Sequence, residues 1–152
     1  MRYLAPLCSA AMLVSCAQPK PQPAADTTAV APPAPAPIAL ADVAGKWTVR
    51  VMPEMGDSTL ATYTLNATAD GAGWTMTPPK RKPIPLTVSA AGDSITTDGG
   101  PFESILRKGV QVTAHAVMRL RDGKLVGMTT AHYATKGPDS VRVLRQEGTR
   151  AP

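Results

Sequence analysis

A chain of 152 residues with 16 basic and 11 acidic side chains, a formal net charge of +5, has room for one modest domain and is mildly basic. A surplus of that size is far short of the clustered basic footprint of a nucleic-acid-binding protein, which excludes that class of partner. Both cysteines, Cys8 and Cys16, lie near the N-terminus, so the remainder of the chain has neither a disulfide nor a thiol nucleophile and must be stabilised by packing.

In chain order, Arg2 is followed by a mostly apolar run through Val14. That is about the length of a signal-peptide core and too short to span a bilayer as a mature helix. The run ends in Leu13-Val14-Ser15-Cys16, which resembles the lipobox of bacterial lipoproteins. The resemblance implies that residues 1–15 are a removed signal peptide and that Cys16 is the lipidation site, carrying a thioether-linked diacylglycerol and an N-acyl chain. Several acyl chains hold a protein on a membrane where a single chain would let go. Ala17 stands where the family's inner-membrane retention signal places Asp, so the resemblance implies the periplasmic face of the outer membrane, with the inner membrane and the cell surface as alternatives. Losing Arg2 with the signal lowers the net charge from +5 to +4.

Residues 16–41 change composition: Pro19, Pro21, Pro23, Pro32, Pro33, Pro35 and Pro37 are separated mainly by alanines. Proline fixes φ and removes a backbone donor, so the segment reads as an extended tether reaching at most about 65 Å. Pro32 and Pro35 also have the spacing of a PxxP ligand, a partner-binding alternative to the spacer.

From residue 42 to 150 the pattern is one of short β-rich runs separated by turn residues, with no amphipathic helical stretch of useful length. The runs are Lys46 to Met52, Thr59 to Ala69, Trp74 to Thr77, Ile84 to Ala90, Ser94 to Thr97, Phe102 to Leu106, Val110 to Leu120, Leu125 to Tyr133 and Val141 to Gln146. The gaps are short and carry turn chemistry, including Asp70-Gly71, Gly92-Asp93, Asp98 to Pro101 and Asp122-Gly123, which permits only sequential antiparallel pairing. The expected fold is therefore all-β, an up-and-down antiparallel meander of eight or nine strands. Closing it into a barrel removes exposed sheet edges; a partly open, curled sheet is the alternative.

The clearest hairpin surrounds Asp122-Gly123, whose type I′ preference sets Arg121 opposite Lys124. That register puts Val110, Val112, Ala114, Ala116, Met118 and Leu120 on one face with Leu125, Ala131 and Tyr133. Thr113, His115, Arg119, Thr130 and His132 fall on the other.

Gly45-Lys46-Trp47 opens the first run and resembles the Gly-x-Trp of lipocalins and related calycin barrels. The resemblance implies a structural role for Gly45 and Trp47, with the indole closing the barrel floor and a late arginine, Arg142, Arg145 or Arg150, packed across it. The chain lacks the usual disulfides and C-terminal helix of that family.

Candidate chemical sites are sparse. His115 and His132 lie diagonally on one face of the hairpin, yet two ligands are fewer than a zinc site takes and sequence places no acidic residue beside them, so no metal site is expected. Gly56-Asp57-Ser58 and Gly92-Asp93-Ser94 are similar to the nucleophile block of GDSL hydrolases. That family's Asp-x-x-His has no counterpart here, since Val112 and Thr129 stand three residues before the histidines. These motifs read better as turns whose side chains bond nearby backbone N–H groups. Lys80-Arg81-Lys82, bracketed by prolines, reads as an exposed basic loop able to meet phosphate-bearing envelope lipids.

The expectation is a lipid-anchored, non-enzymatic protein without a cofactor. As a binding module it holds a small apolar or amphipathic molecule in the barrel mouth, lined by Tyr63, Trp74, Met76 and Phe102. As a structural or assembly lipoprotein it has a filled barrel, no ligand, and another envelope component as its partner. The state of the barrel interior separates the two.

Overall fold

The computed structural model describes residues 36–152; Cys16, the expected signal peptide and most of the expected tether lie outside the described residues. Eight strands run in order around a closed barrel: β1 (Gly45–Pro53), β2 (Ala61–Ala67), β3 (Thr75–Thr77), β4 (Ile84–Ala91), β5 (Ser94–Glu103), β6 (Gln111–Arg121), β7 (Lys124–Tyr133) and β8 (Val141–Arg150). Every neighbouring pair is antiparallel, and β8 closes on β1, with Trp47 opposite Arg150 and Val51 opposite Gln146. The fold is the all-β up-and-down barrel expected from the short, turn-bounded runs, with two short 3-10 turns as its helical content among the described residues.

The alternation of side chains fixes inside and outside. Trp47, Val49 and Val51 of β1, Tyr63 and Leu65 of β2, and Val112 and Met118 of β6 are buried in one core, while the residues between them face solvent. The Asp122-Gly123 turn has φ values of 50° and 74°, as a type I′ turn requires. Arg121 pairs with Lys124, and the register runs on to Val112 opposite Tyr133.

Two elements differ from the sequence expectation. Ser94 to Thr97 and Phe102 to Leu106 do not form separate strands joined by a turn at Asp98 to Pro101. Ser94 to Thr97, Phe102 and Glu103 belong to the single strand β5, whose register shifts between Gly99 and Phe102, while Ser104 to Leu106 lie in the loop after it. The reason is steric: Gly100 has φ 116°, and a Cβ there would sit 2.7 Å from the Val112 carbonyl oxygen, so glycine lets the chain bulge against β6 without leaving the sheet. Packing also begins before residue 42. Ile38 donates its N–H to the Gly92 carbonyl at 2.8 Å, Ile38 and Leu40 pack on the core, and a 3-10 turn at Leu40–Val43 buries Val43 completely.

Strand directions define two ends. The starts of β1, β5 and β7 and the end of β8 lie at the floor, under the Leu40–Val43 turn. The ends of β1, β5 and β7 and the starts of β6 and β8 form the mouth.

Candidate functional site

At the floor, Trp47 is fully buried and its Nε1–H donates to the Val43 carbonyl at 2.8 Å. Of the three arginines considered from sequence, Arg150 lies over the indole, its guanidinium carbon 4.5 Å from the ring centroid. Its Nη1 and Nη2 donate to the carbonyls of Ala44 and Asp42, each at 2.8 Å. A Cβ at Gly45 would approach Arg150 Nη1 to 3.1 Å, so the missing side chain gives the arginine room to cross. Trp74 belongs to this end too. It is fully buried and its Nε1–H donates to the Thr68 carbonyl at 2.8 Å.

The mouth gathers the other three residues expected to line a ligand site. Tyr63, Met76 and Phe102 border a cavity of about 50 Å³, together with Ile105, Leu106 and Thr129; Trp74, at the opposite end, does not. The Tyr63 hydroxyl donates to Gln146 Oε1 at 3.1 Å, and burial pushes its pKa above the usual phenol range, so it remains a donor. Thr129 Oγ1 is buried without a hydrogen-bond partner among the described residues.

The loop from β5 to β6 plugs this mouth. Ile105 and Leu106 pack against the core, and Ser104 Oγ accepts the N–H groups of Leu106 and Arg107, each at 3.0 Å. Arg107 stacks over the Tyr133 ring at 4.2 Å and donates to the Asp139 carbonyl at 2.9 Å. Arg81, expected as part of a free basic loop, instead reaches the same plug. Its Nη1 donates to the Glu103 and Ser104 carbonyls at 2.5 and 3.2 Å.

The outer wall carries a second concavity, a groove of about 520 Å³ floored by Gly99 and Gly100 and bordered by Asp98, Thr113, His115 and His132. His115 Nδ1 lies 2.7 Å from Asp98 Oδ1. A carboxylate only accepts, so Nδ1 carries the proton and Nε2 is the nitrogen left for solvent. Sequence reasoning missed this partner because it read Asp98 as a turn residue; the continuous β5 puts Asp98 directly opposite His115. Both side chains are about half exposed, and among the described residues no three His, Cys, Asp or Glu side chains converge as a metal site.

The Asp-Ser motifs lie in turns and loops as expected, but their carboxylates take other partners. Asp93 accepts from Arg119 at 3.0 Å and Arg121 at 2.5 Å on β6, and from the Ser94 hydroxyl at 2.9 Å. These contacts, led by the Ser94 hydrogen bond, bring its pKa down to about 2. Asp57 accepts from Arg145 at 2.8 Å. Both carboxylates tie strands together instead of bonding backbone N–H groups beside them.

Fold and geometry thus define a closed, up-and-down eight-stranded barrel with a sealed floor and a plugged mouth. Comparison with protein families, curated proteins and solved structures finds no match for the chain.

Proposed function

We propose that this chain is a lipid-anchored, lipocalin-like protein of the bacterial envelope whose barrel is a rigid interaction module, not a carrier for a bulky ligand. The observation that carries the reading is the filled interior: about 50 Å³ of cavity, where small-molecule sites span roughly 300–1,000 Å³. The calycin likeness is supported by Gly45, Trp47 and Arg150 acting together at the floor. The anchor at Cys16 and the periplasmic face of the outer membrane rest on the lipobox resemblance. The partner is then another component of the envelope, met through the outer wall.

The test is thermal unfolding of the purified protein with increasing single-chain amphiphile below its micelle concentration. A ligand that binds the folded state raises the midpoint saturably, by an amount set by the logarithm of ligand over Kd. The filled barrel should show no such rise. A saturable rise abolished by Tyr63→Ala would overturn this reading in favour of a second one, a small apolar or amphipathic ligand in the mouth. That alternative draws on the convergence of Tyr63, Met76 and Phe102 around one cavity.

A further inference from the structure

Five large apolar side chains are exposed among the described residues, and three share one wall: Met128 at 38%, Val141 at 44% and Val143 at 39%. The register joins them into a strip. Val143 of β8 faces Thr130 of β7, and its outward neighbour Arg145 faces Met128. Val117 of β6 stands on the far side of Met128, and Met52 of β1 on the far side of Arg145. The exposed part of the strip therefore spans β6 to β8, with Met52 buried beneath its β1 edge at 3% exposure. Inward residues of the same strands already fill the core, so these outward side chains have no interior to join.

Basic groups frame the strip. Arg119 and Arg121 share the single carboxylate of Asp93, Lys124 pairs with Glu147, and Arg145 pairs with Asp57. Arg50 of β1, outward beside Met52 and opposite Glu147, makes no ion pair among the described residues. Five positive groups thus meet three carboxylates, leaving the wall positive around an apolar centre.

We infer that this outer wall of β6–β8 docks on an anionic phospholipid leaflet, the surface to which the anchor at Cys16 would tether the chain; the inference rests on the anchored reading above. Guanidinium groups suit phosphate-bearing headgroups, while valine and methionine side chains enter the boundary beneath them. Tethering favours such a contact because it raises the effective concentration of the wall at the membrane. A second copy of the chain is a poorer occupant, since a symmetric pairing would set the same surplus of positive charge against itself.

The experiment uses the mature chain carrying Cys16→Ser, which has no acyl chain, in co-sedimentation with vesicles. Binding to vesicles containing phosphatidylglycerol should exceed binding to phosphatidylcholine alone by roughly tenfold or more and weaken as salt rises. Val141→Thr with Val143→Thr keeps β-branched side chains, and therefore the unfolding midpoint, while lowering vesicle binding several-fold; Arg50→Gln should lower it too. Lys82→Gln, in the exposed loop before β4 on the opposite side of the barrel, should leave binding unchanged. Equal binding to both vesicle types, no binding, or a concentration-dependent dimer abolished by the valine changes would each overturn the inference. Acyl labelling of the parent at Cys16 is scored separately. A labelled parent whose Cys16→Ser form ignores anionic vesicles would remove the docking wall and leave the anchor standing.

Discussion

The two ends of the barrel solve the same problem in different ways. At the floor, two fully buried indoles satisfy their N–H groups on carbonyls close by in sequence, Trp47 on Val43 and Trp74 on Thr68, four and six residues away. At the mouth, Tyr63 finds Gln146 at a separation of 83 residues, and Thr129 finds no partner for its hydroxyl among the described residues. Local partners let large amphipathic side chains seal the floor completely. Long-range partners leave the mouth with a small cavity, an orphaned oxygen and a loop laid across it as a plug. The lesson is that this barrel is most completely sealed where its buried polar groups find partners close by in sequence.

The largest effect should come from breaking the floor. Trp47→Ala should cost about 3–5 kcal/mol, a large share of the ~5–15 kcal/mol that holds a typical domain together, read as a lower denaturant midpoint. Sequence placed Trp74 at the mouth, where its loss would be mild. Its complete burial at the floor instead predicts that Trp74→Ala costs a similar amount, and a midpoint shift under a third of that for Trp47→Ala would contradict the paired-indole floor.

At the mouth the losses should be smaller and of both signs. Tyr63→Phe strips Gln146 Oε1 of its donor and should destabilise by about 1–3 kcal/mol. Thr129→Val keeps the shape and removes the unpartnered hydroxyl, so it should stabilise by about 1 kcal/mol. Chemical denaturation of the two variants sharpens the comparison: a destabilised Thr129→Val would mean that the hydroxyl has a partner in solution and that the mouth is as well satisfied as the floor.

The smallest effect should be the acid response of Asp93, at the floor's rim. Its folded pKa, near 2, lies below the ordinary carboxylate value of 3.8. A depressed carboxylate stabilises the fold above its unfolded pKa, and that contribution disappears as pH falls through the folded one. Stability should therefore drop between about pH 4 and pH 2, and Asp93→Asn should flatten that part of the profile measured by urea unfolding. An unchanged profile would show that Ser94, Arg119 and Arg121 do not hold the charge in solution.

Much of the fold was legible because period-two alternation and turn residues are local signals. Asp122-Gly123 set the β6–β7 register, and Val112, Met118, Leu125 and Tyr133 duly face the core. The bulge at Gly99 to Pro101 was misread as a turn because two glycines and a proline signal punctuation equally well when they kink a strand. With it went the His115–Asp98 contact, which exists only if β5 is continuous. The position of Trp74 was misassigned for a related reason: a three-residue strand after a Gly-rich turn gives too little pattern to say which end of a barrel it starts from.

By itself the sequence determined the class of fold, the hairpin faces and the Gly45–Trp47 floor motif, all consequences of residues near one another along the chain. Only the tertiary structure decided that Arg150, not Arg142 or Arg145, crosses the indole, that Ile105 and Leu106 plug the mouth, and that Arg81 turns in to hold that plug. It also decided that the interior is filled. Each depends on barrel closure, which sets β8 beside β1 and brings the loops of distant strands together, and the space left inside is the difference between side-chain volume and a circumference fixed by all eight strands together.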